Sequence, residues 1–299
     1  MTAGAVLSGA YFGDRCSPAS SSAALVAAET GTTLYDNLRN MFRTGVLPVA
    51  LTVIVYGVLS VRHPITAVDE SLLQALRDSA VISLWALLPA VIMLALPLVK
   101  VPVLISIALS VAAAGTVSVL VQGMTVWDML KTALLGYYPT AGQLKDILSG
   151  GGIVSMAKPA ALVFTTGLLA GLLEGTGVLK GAAGLVEKLA NRWGSFAASV
   201  AVSLGAGMIF CNQSVAIVMG NQLLRRRYTD HNEQAVDMEN SGIVLSALIP
   251  WNIACSIPLV MLEVNERAIP YAVLLYMIPL VYGLTKQWVY PAERQAMKE

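Results

Sequence analysis

Long apolar segments separated by short polar ones dominate this chain. Segments without any charged side chain cover 80–99, 101–121, 195–224, 242–262 and 268–285. A helix needs about 20 largely apolar residues to cross roughly 30 Å of hydrocarbon, and it satisfies its own backbone groups there. The pattern therefore predicts membrane-spanning helices at about 44–61, 80–99, 101–121, 159–179, 196–222, 242–262 and 268–287.

The remaining segments predict how these helices are organised. Residues 3–26 form a further, broken hydrophobic segment, and the mixed segments 62–79 and 180–194 suit short amphipathic helices at the membrane interface. We predict an all-α, polytopic membrane protein with broken helices and inverted repeats. Its expected parts are the remainder of a first transmembrane repeat, a linker, a second repeat and a cytoplasmic tail, at 1–121, 122–158, 159–287 and 288–299.

Composition agrees with a membrane protein and excludes other classes. Only 12% of the residues are charged, against about 25% in soluble domains. The net charge of +1 argues against a nucleic-acid partner, and the three scattered cysteines form no metal or disulfide framework. No phosphate-binding G-x-x-x-x-G-K-[ST] motif and no hydrolytic triad occurs. We therefore expect no enzyme and no cofactor.

Basic residues indicate the orientation, because cytoplasmic loops carry an excess of Lys and Arg. Arg225, Arg226 and Arg227 place the 223–241 loop in the cytoplasm. The tail with Lys286 then also lies inside, whereas the side of Arg15, Arg39 and Arg43 stays open.

The first polar interruption is SGAYFGDRCSPASSS at 8–22. Gly13 and Pro18 are expected to break the helix, which exposes backbone carbonyls beside the hydroxyls of Ser17, Ser20 and Ser21. Oxygen atoms of this kind can replace the hydration shell of a small cation, and Asp14 adds a titratable charge. The alternative is that Asp14 and Arg15 form a solvated pair at a helix end.

Two further interruptions carry candidate site residues. Asn212 and Gln213 follow Gly207 inside an uncharged stretch, and their amides bind either a solute or a neighbouring helix. Glu239 and Asn240 stand at the expected cytoplasmic mouth of a span that Pro250 is expected to break.

Other polar residues favour structural interpretations. Glu174 fits an interfacial helix end better than a pathway, and His63 and His231 fit solvated loops.

Two interruptions resemble each other. FGDRCSPASSS starts at Phe12 and FCNQSVAIVMG at Phe210, and a glycine follows 33 and 32 residues later, at Gly45 and Gly242. Repeated breaks in matching positions are typical of transporter binding sites, although small apolar residues also match by chance.

Taken together, four segments resemble the NhaC family of sodium/proton antiporters: SGAYFGDRCSPASSS, GLLAGLLEGTGVL, FCNQSVAIVMGNQL and MENSGIVLSALIPWN. The resemblance runs from about residue 4 to residue 285. It implies a secondary transporter of the cell membrane, in bacteria the plasma membrane, that contacts lipid and exchanges ions against protons. Some relatives exchange organic acids. It also implies that further spans precede the G-A-x-F-G-D segment, so that the first repeat is truncated here.

This chain departs from the family pattern at three positions. Ser21, Asn212 and Asn240 stand where the pattern has Asp, which is typical of a variant subgroup. An amide keeps an oxygen for a cation but cannot carry a proton at physiological pH. Asp14 and Glu239 are then the main remaining acids for exchange.

The leading hypothesis is an antiporter of Na⁺ or Li⁺ against H⁺, in which Asp14 transiently binds the cation. Ser17, Ser20, Asn212 and Gln213 would be neutral ligands, and Glu239 would gate or titrate at the cytoplasmic side. One alternative is an exchanger of organic acids or amino acids that uses Arg15. Another is a structural membrane subunit. A homodimer is an assembly open to all three.

Overall fold

The computed structural model describes residues 1–62, 81–99, 101–138, 149–157, 179–262 and 264–289. It also describes residues 74, 160, 161, 164, 165, 167, 168, 171 and 172. Within these residues the regular structure is helical, apart from one isolated antiparallel bridge between Tyr137 and Gly150. Contacts divide the chain into two compact units, residues 1–63 with 163–299 and residues 64–162. The all-α prediction is confirmed.

The helices are, in chain order, α1 (Thr2–Cys16), α2 (Ser21–Thr30), α3 (Leu34–Arg62), α4 (Leu88–Leu98), α5 (Val103–Leu120), α6 (Val126–Leu135), α7 (Leu179–Trp193), α8 (Ser195–Phe210), α9 (Gln213–Leu224), α10 (His231–Met238), α11 (Val244–Ser246), α12 (Ile253–Met261) and α13 (Val273–Val289). Short 3₁₀ segments cover Leu84–Leu87, Arg225–Arg227 and Glu266–Tyr271, and a single helical turn covers Gly152–Ser155. A π-helical segment, Glu239–Ile243, joins α10 to α11.

Several predicted spans differ from the observed helices. The span at 44–61 belongs to α3, which starts ten residues earlier because Asn37, Leu38 and Met41 bury one face of its first turns. The 223–241 loop is shorter than expected, since α10 already begins at His231. Most of the span at 159–179, with Glu174, and most of 62–79, with His63, lie outside the described residues.

The first helix break lies between α1 and α2. Ser17 is extended (φ −104°, ψ 137°), as expected for a residue before proline, and Pro18 cannot continue the helix. Ser20 then caps α2 by accepting a hydrogen bond from the Ala23 amide. The break therefore falls at Pro18, and the prediction that Gly13 breaks the helix is wrong, because α1 continues through it.

Two more breaks divide the predicted spans 196–222 and 242–262. Cys211 ends α8 with φ 55°, a left-handed conformation, and Asn212 caps α9. Pro250 lies in the irregular stretch between α11 and α12, as predicted. Gly207 is not itself a break, because it lies inside α8, where its carbonyl accepts from Asn252 Nδ2 at 2.9 Å. A side chain at Gly207 would meet Ile249 Cδ1 at 2.8 Å, so close packing explains the glycine.

The core of the first unit lies where α1 meets α13 and the segment from α10 to α11. Leu7 of α1, Ile243 and Leu275 have no exposed surface. Gly4 permits the approach of α1 to the 3₁₀ segment, since a Cβ there would lie 2.5 Å from the carbonyl carbon of Tyr271. These contacts hold the broken helix α1–α2 in the centre of the unit.

Helix α3 relates the two ends of this unit. Near its C-terminus the Tyr56 hydroxyl donates to the Tyr271 carbonyl at 2.7 Å. Near its N-terminus Asp36 lines the same cavities as Asp230 and His231. The start of α3 therefore lies on the same side of the unit as the Arg225–Arg227 cluster. Arg39 and Arg43, whose side the sequence left open, lie on this side as well.

The second unit contains a helical hairpin. Helices α4 and α5 pack together, and Ser110 Oγ donates to the Pro89 carbonyl at 2.8 Å. The Gln122 side chain accepts from the Val81 N–H and donates to the Val81 carbonyl. These two bonds join the residues just before and just after the hairpin. Helix α6, capped by Thr125, lies within residues 122–158 and shows that part of the proposed linker is helical.

Among the described helices, α3 and α5 are long and apolar enough to cross a membrane, and α4 and α8 are shorter apolar helices. Large apolar side chains of α3, α4 and α5 are widely exposed; on α3 they include Val46, Leu47, Val53, Ile54 and Val58. Exposed apolar faces of this extent fit contact with lipid.

Candidate functional site

Asp14 lies where the first two helix breaks meet. Its Oδ1 accepts a hydrogen bond from Ser20 Oγ at 2.8 Å, and its Oδ2 accepts from Gln213 Nε2 at 2.9 Å. The side chain is half-buried. Asp14 and Gln213, which are 199 positions apart in sequence, thus meet at this site.

The half-helices α2 and α9 run side by side in the same direction away from Asp14. Both start beside it, at Ser20 and Gln213, and near their other ends Asn221 Nδ2 donates to Glu29 Oε2 at 2.7 Å. Helix N-termini carry partial positive charge. Two of them converge on Asp14.

The parallel course of α2 and α9 tests whether the two similar segments that start at Phe12 and Phe210 are related by inverted symmetry. Segments related by an inverted repeat cross in opposite directions. Helices α2 and α9 run in the same direction, so the similarity of these two segments does not reflect an inverted repeat. An inverted repeat elsewhere in the chain stays a prediction.

The neutral residues predicted around Asp14 differ in what they contact. Ser20 and Gln213 touch the carboxylate, whereas Asn212 is buried and its Oδ1 accepts from the Ser214 N–H at 2.9 Å as a helix cap. Ser17 Oγ accepts from the Ala19 N–H at 3.1 Å. Ser21 is exposed at the first position of α2.

Arg15 is fully buried and points away from the Asp14 contacts. Its Nη2 donates to Asn240 Oδ1 at 2.6 Å and to Thr44 Oγ1 at 2.9 Å. Gly45 makes room for it, since a Cβ there would lie 3.0 Å from Nη1. The alternative of a solvated Asp14–Arg15 pair is therefore wrong. Because its oxygen is taken by Arg15, Asn240 is not available as an ion ligand in this conformation.

A cavity of about 720 Å³ opens on the side of the arginine cluster and reaches Thr44, one of the partners of Arg15. It is lined by Asp36, Arg39, Asn40, Arg43, Thr44, Asp230 and Asn232. The cavity therefore lies beside a hydrogen-bond partner of the buried Arg15 guanidinium.

Glu239 belongs to the π-helical segment and has no exposed surface. Neither of its carboxyl oxygens has a hydrogen-bond partner among the described residues. The next residue, Asn240, bonds the Arg15 guanidinium, which brings that opposite charge near Glu239. Glu239 is thus buried rather than open at a cytoplasmic mouth.

Sequence reasoning missed a buried ionic cluster around Lys286. Lys286 Nζ lies 2.6 Å from Asp237 Oδ2 and 2.8 Å from Glu233 Oε1, and it donates to Ser195 Oγ at 2.8 Å. The tail position predicted for Lys286 is wrong, because the side chain points back into the unit. Asp237 and Glu233 share one helix face at i, i+4 spacing, but hydropathy gives no signal that a lysine 49 positions later reaches them.

Comparisons with known proteins agree with this architecture. Residues 9–285 match the Na⁺/H⁺ antiporter family. The chain is 28% identical to the malate-2H⁺/Na⁺-lactate antiporter of Bacillus subtilis over 84% of its own length and 56% of that protein. It is 25% identical to the Na⁺/H⁺ antiporter NhaC of the same organism over 94% and 65%. It is 28% identical to the arginine/ornithine antiporter ArcD of Halobacterium salinarum over 84% and 55%.

The matched relatives are longer than this chain, which spans between 55% and 65% of their lengths. No solved structure matches. The family match covers nearly the whole chain, and the helix breaks fall within the motifs that carry the resemblance. This chain belongs to the Na⁺/H⁺ antiporter family, and it is a membrane-embedded protein.

Proposed function

We propose that this protein exchanges Na⁺ or Li⁺ for protons across the bacterial plasma membrane by alternating access, with Asp14 as the carboxylate that binds the cation. The observation that carries the proposal is the contact of Asp14 with Ser20 and Gln213 at two helix breaks. Non-helical backbone of this kind at membrane depth is tolerated where it lines a protein-covered site.

The neighbours of Asp14 suit a cation that comes and goes. The Ser20 hydroxyl and the Gln213 amide each carry an oxygen as well as a donor, so a reorientation of either group turns a donor toward Asp14 into a ligand for Na⁺. Ser17 and Asn212 hold the two breaks in shape through their bonds to Ala19 and Ser214.

The test is ion-driven proton movement in everted membrane vesicles that contain the complete gene product. Addition of Na⁺ or Li⁺ should dequench a pH-sensitive dye, and Asp14→Asn should abolish this response. Correctly inserted protein that gives no dequenching at any pH would overturn the proposal.

A second candidate function is exchange of organic acids or amino acids. It is favoured by the buried Arg15, whose Nε has no hydrogen-bond partner among the described residues and whose partner Thr44 lines the 720 Å³ cavity. Two relatives are antiporters of such solutes by name. Uptake of labelled carboxylates that is lost in Arg15→Gln, without any response to Na⁺ in the dye assay, would favour this function over the first.

A further inference from the structure

Glu239 differs from the buried Asp237 and the partly buried Glu29 in having no hydrogen-bond donor among the described residues. Asp237, two positions earlier, accepts from Lys286, Tyr228 and Tyr282. Glu29 accepts from Asn221 Nδ2. An ionised carboxyl that is buried without hydrogen bonds is costly, so this exception requires an explanation.

The backbone around Glu239 is exceptional as well. Glu239–Ile243 forms a π-helix, inserted between the α-helical segments that precede and follow it. Single π-helical turns inside α-helices are frequent at functional sites. The insertion also places Asn240 where its oxygen meets Arg15, while its Nδ2 has no partner among the described residues.

The surroundings of Glu239 are unsuitable for a metal cation. Its side chain has no exposed surface, which leaves no room beside it for a hydrated ion in this conformation. The charge that it meets is the guanidinium of Arg15, which repels a second cation. A proton needs no additional space and neutralises the carboxylate.

Arg15 is the charged group of the packed elements that acts on Glu239. Helices α8 and α9 carry no charged side chain. Glu29 of α2 bonds Asn221, and Asp237 of α10 bonds Tyr282 and Lys286 of α13. The other ionisable groups of the remaining described elements are Tyr11, Asp14, Arg15 and Cys16 of α1, His231 and Glu233 of α10, and Tyr276 of α13.

We propose that Glu239 carries the proton of the exchange cycle while Asp14 binds the cation, so that the two ions use separate carboxyl groups linked through Arg15. This inference rests on the function proposed above, and it replaces competition of both ions for one carboxylate by two coupled sites.

Arg15 supplies the coupling. Arg15 follows Asp14 directly in α1, and its Nη2 bonds Asn240, the residue after Glu239. An ionised Glu239 offsets the guanidinium charge, whereas a protonated Glu239 leaves that charge uncompensated. Proton binding at Glu239 therefore lowers the affinity of Asp14 for a cation, and cation binding disfavours the proton by the same factor. Couplings of this kind are typically 5- to 150-fold, and we expect about tenfold.

The experiment uses the complete gene product in proteoliposomes with two readouts: exchange of ²²Na⁺ against Na⁺, and Na⁺-driven proton movement. Glu239→Gln mimics the protonated group. It should keep Na⁺/Na⁺ exchange with a half-saturating Na⁺ concentration about tenfold higher than wild type. That concentration should no longer depend on pH, and proton movement should be lost. Asp14→Asn should lose both readouts.

Two further variants keep the test decisive. Glu239→Asp retains a carboxyl group and should retain proton movement even if Glu239→Gln is poorly folded. Glu29→Gln keeps the oxygen that accepts from Asn221 and should leave the pH dependence of exchange unchanged.

The outcomes separate the two proposals. Proton movement by Glu239→Gln with the wild-type pH profile, or loss of proton movement in Glu239→Asp when that variant still exchanges Na⁺, would overturn the role of Glu239. Absence of both readouts in the wild-type protein would instead contradict cation/proton exchange itself.

Discussion

Asn212 combines a structural task with a position next to the candidate ion site. Its side-chain oxygen caps α9, and the following residue, Gln213, bonds Asp14. The resemblance to the family implies Asp at this position, and Asp caps a helix as well as Asn does. The neutral residue therefore removes a titratable group without removing the cap.

We predict that Asn212→Asp changes the pH dependence of exchange while leaving stability nearly unchanged. It restores a second carboxylate near Asp14 and keeps the N-cap. The pH profile is measured by dye dequenching in everted vesicles and the stability by thermal unfolding in detergent.

Asn212→Ala is the matched control for this substitution. It should lower the free energy of unfolding by about 1 kcal/mol through loss of the cap and add no titratable group. A wild-type pH profile in a well-folded Asn212→Asp variant would show that acid loss at this position does not set the coupling.

At the scale of elements, the Lys286 cluster joins three helices. Lys286 of α13 reaches Glu233 and Asp237 of α10 and Ser195 at the start of α8. Tyr228 and Tyr282 donate to the same Asp237 carboxylate at 2.6 Å and 2.7 Å. Because every member has partners, this cluster fits a structural tie between helices better than a solute site.

We predict that Lys286→Met destabilises the protein by about 3–5 kcal/mol, because it leaves Asp237 charged and buried without its partner. The double variant Lys286→Met, Asp237→Asn should recover a large part of this loss. Thermal unfolding in detergent measures both.

Lys188→Met is the control for loss of a lysine, since Lys188 is exposed on α7 and should be replaceable within about 0.5 kcal/mol. Equal effects of Lys286→Met and Lys188→Met would argue against a buried tie at α13.

At the scale of the whole molecule, the orientation follows from one basic side. The Arg225–Arg227 segment is exposed, and the start of α3 with Arg39 and Arg43 lies on the same side. The Glu266–Tyr271 segment lies at the other end of α3, beside Tyr56. The positive-inside rule then places the arginines in the cytoplasm and Glu266 outside.

We predict that the cysteine of the Arg226→Cys variant reacts with a membrane-impermeant maleimide only in everted vesicles. The cysteine of Glu266→Cys should react in intact cells. The native Cys16 and Cys255 are buried and Cys211 is partly so, and the unsubstituted protein measures their background. The opposite labelling pattern would reverse the orientation.

The inverted repeats, the division at 122–158 and the homodimer stay predictions.

Hydropathy and local stereochemistry by themselves determined the helical membrane class, the apolar helices α3, α4, α5 and α13, and the breaks at Pro18 and Pro250. The resemblance of four motifs identified the family, since these features are encoded within short windows of sequence. Only the tertiary structure decided that Asp14 meets Gln213, that Lys286 turns back to Asp237 and that Glu239 is left without a donor. Partners of buried polar groups depend on how distant helices pack, and neither periodicity nor composition carries that information.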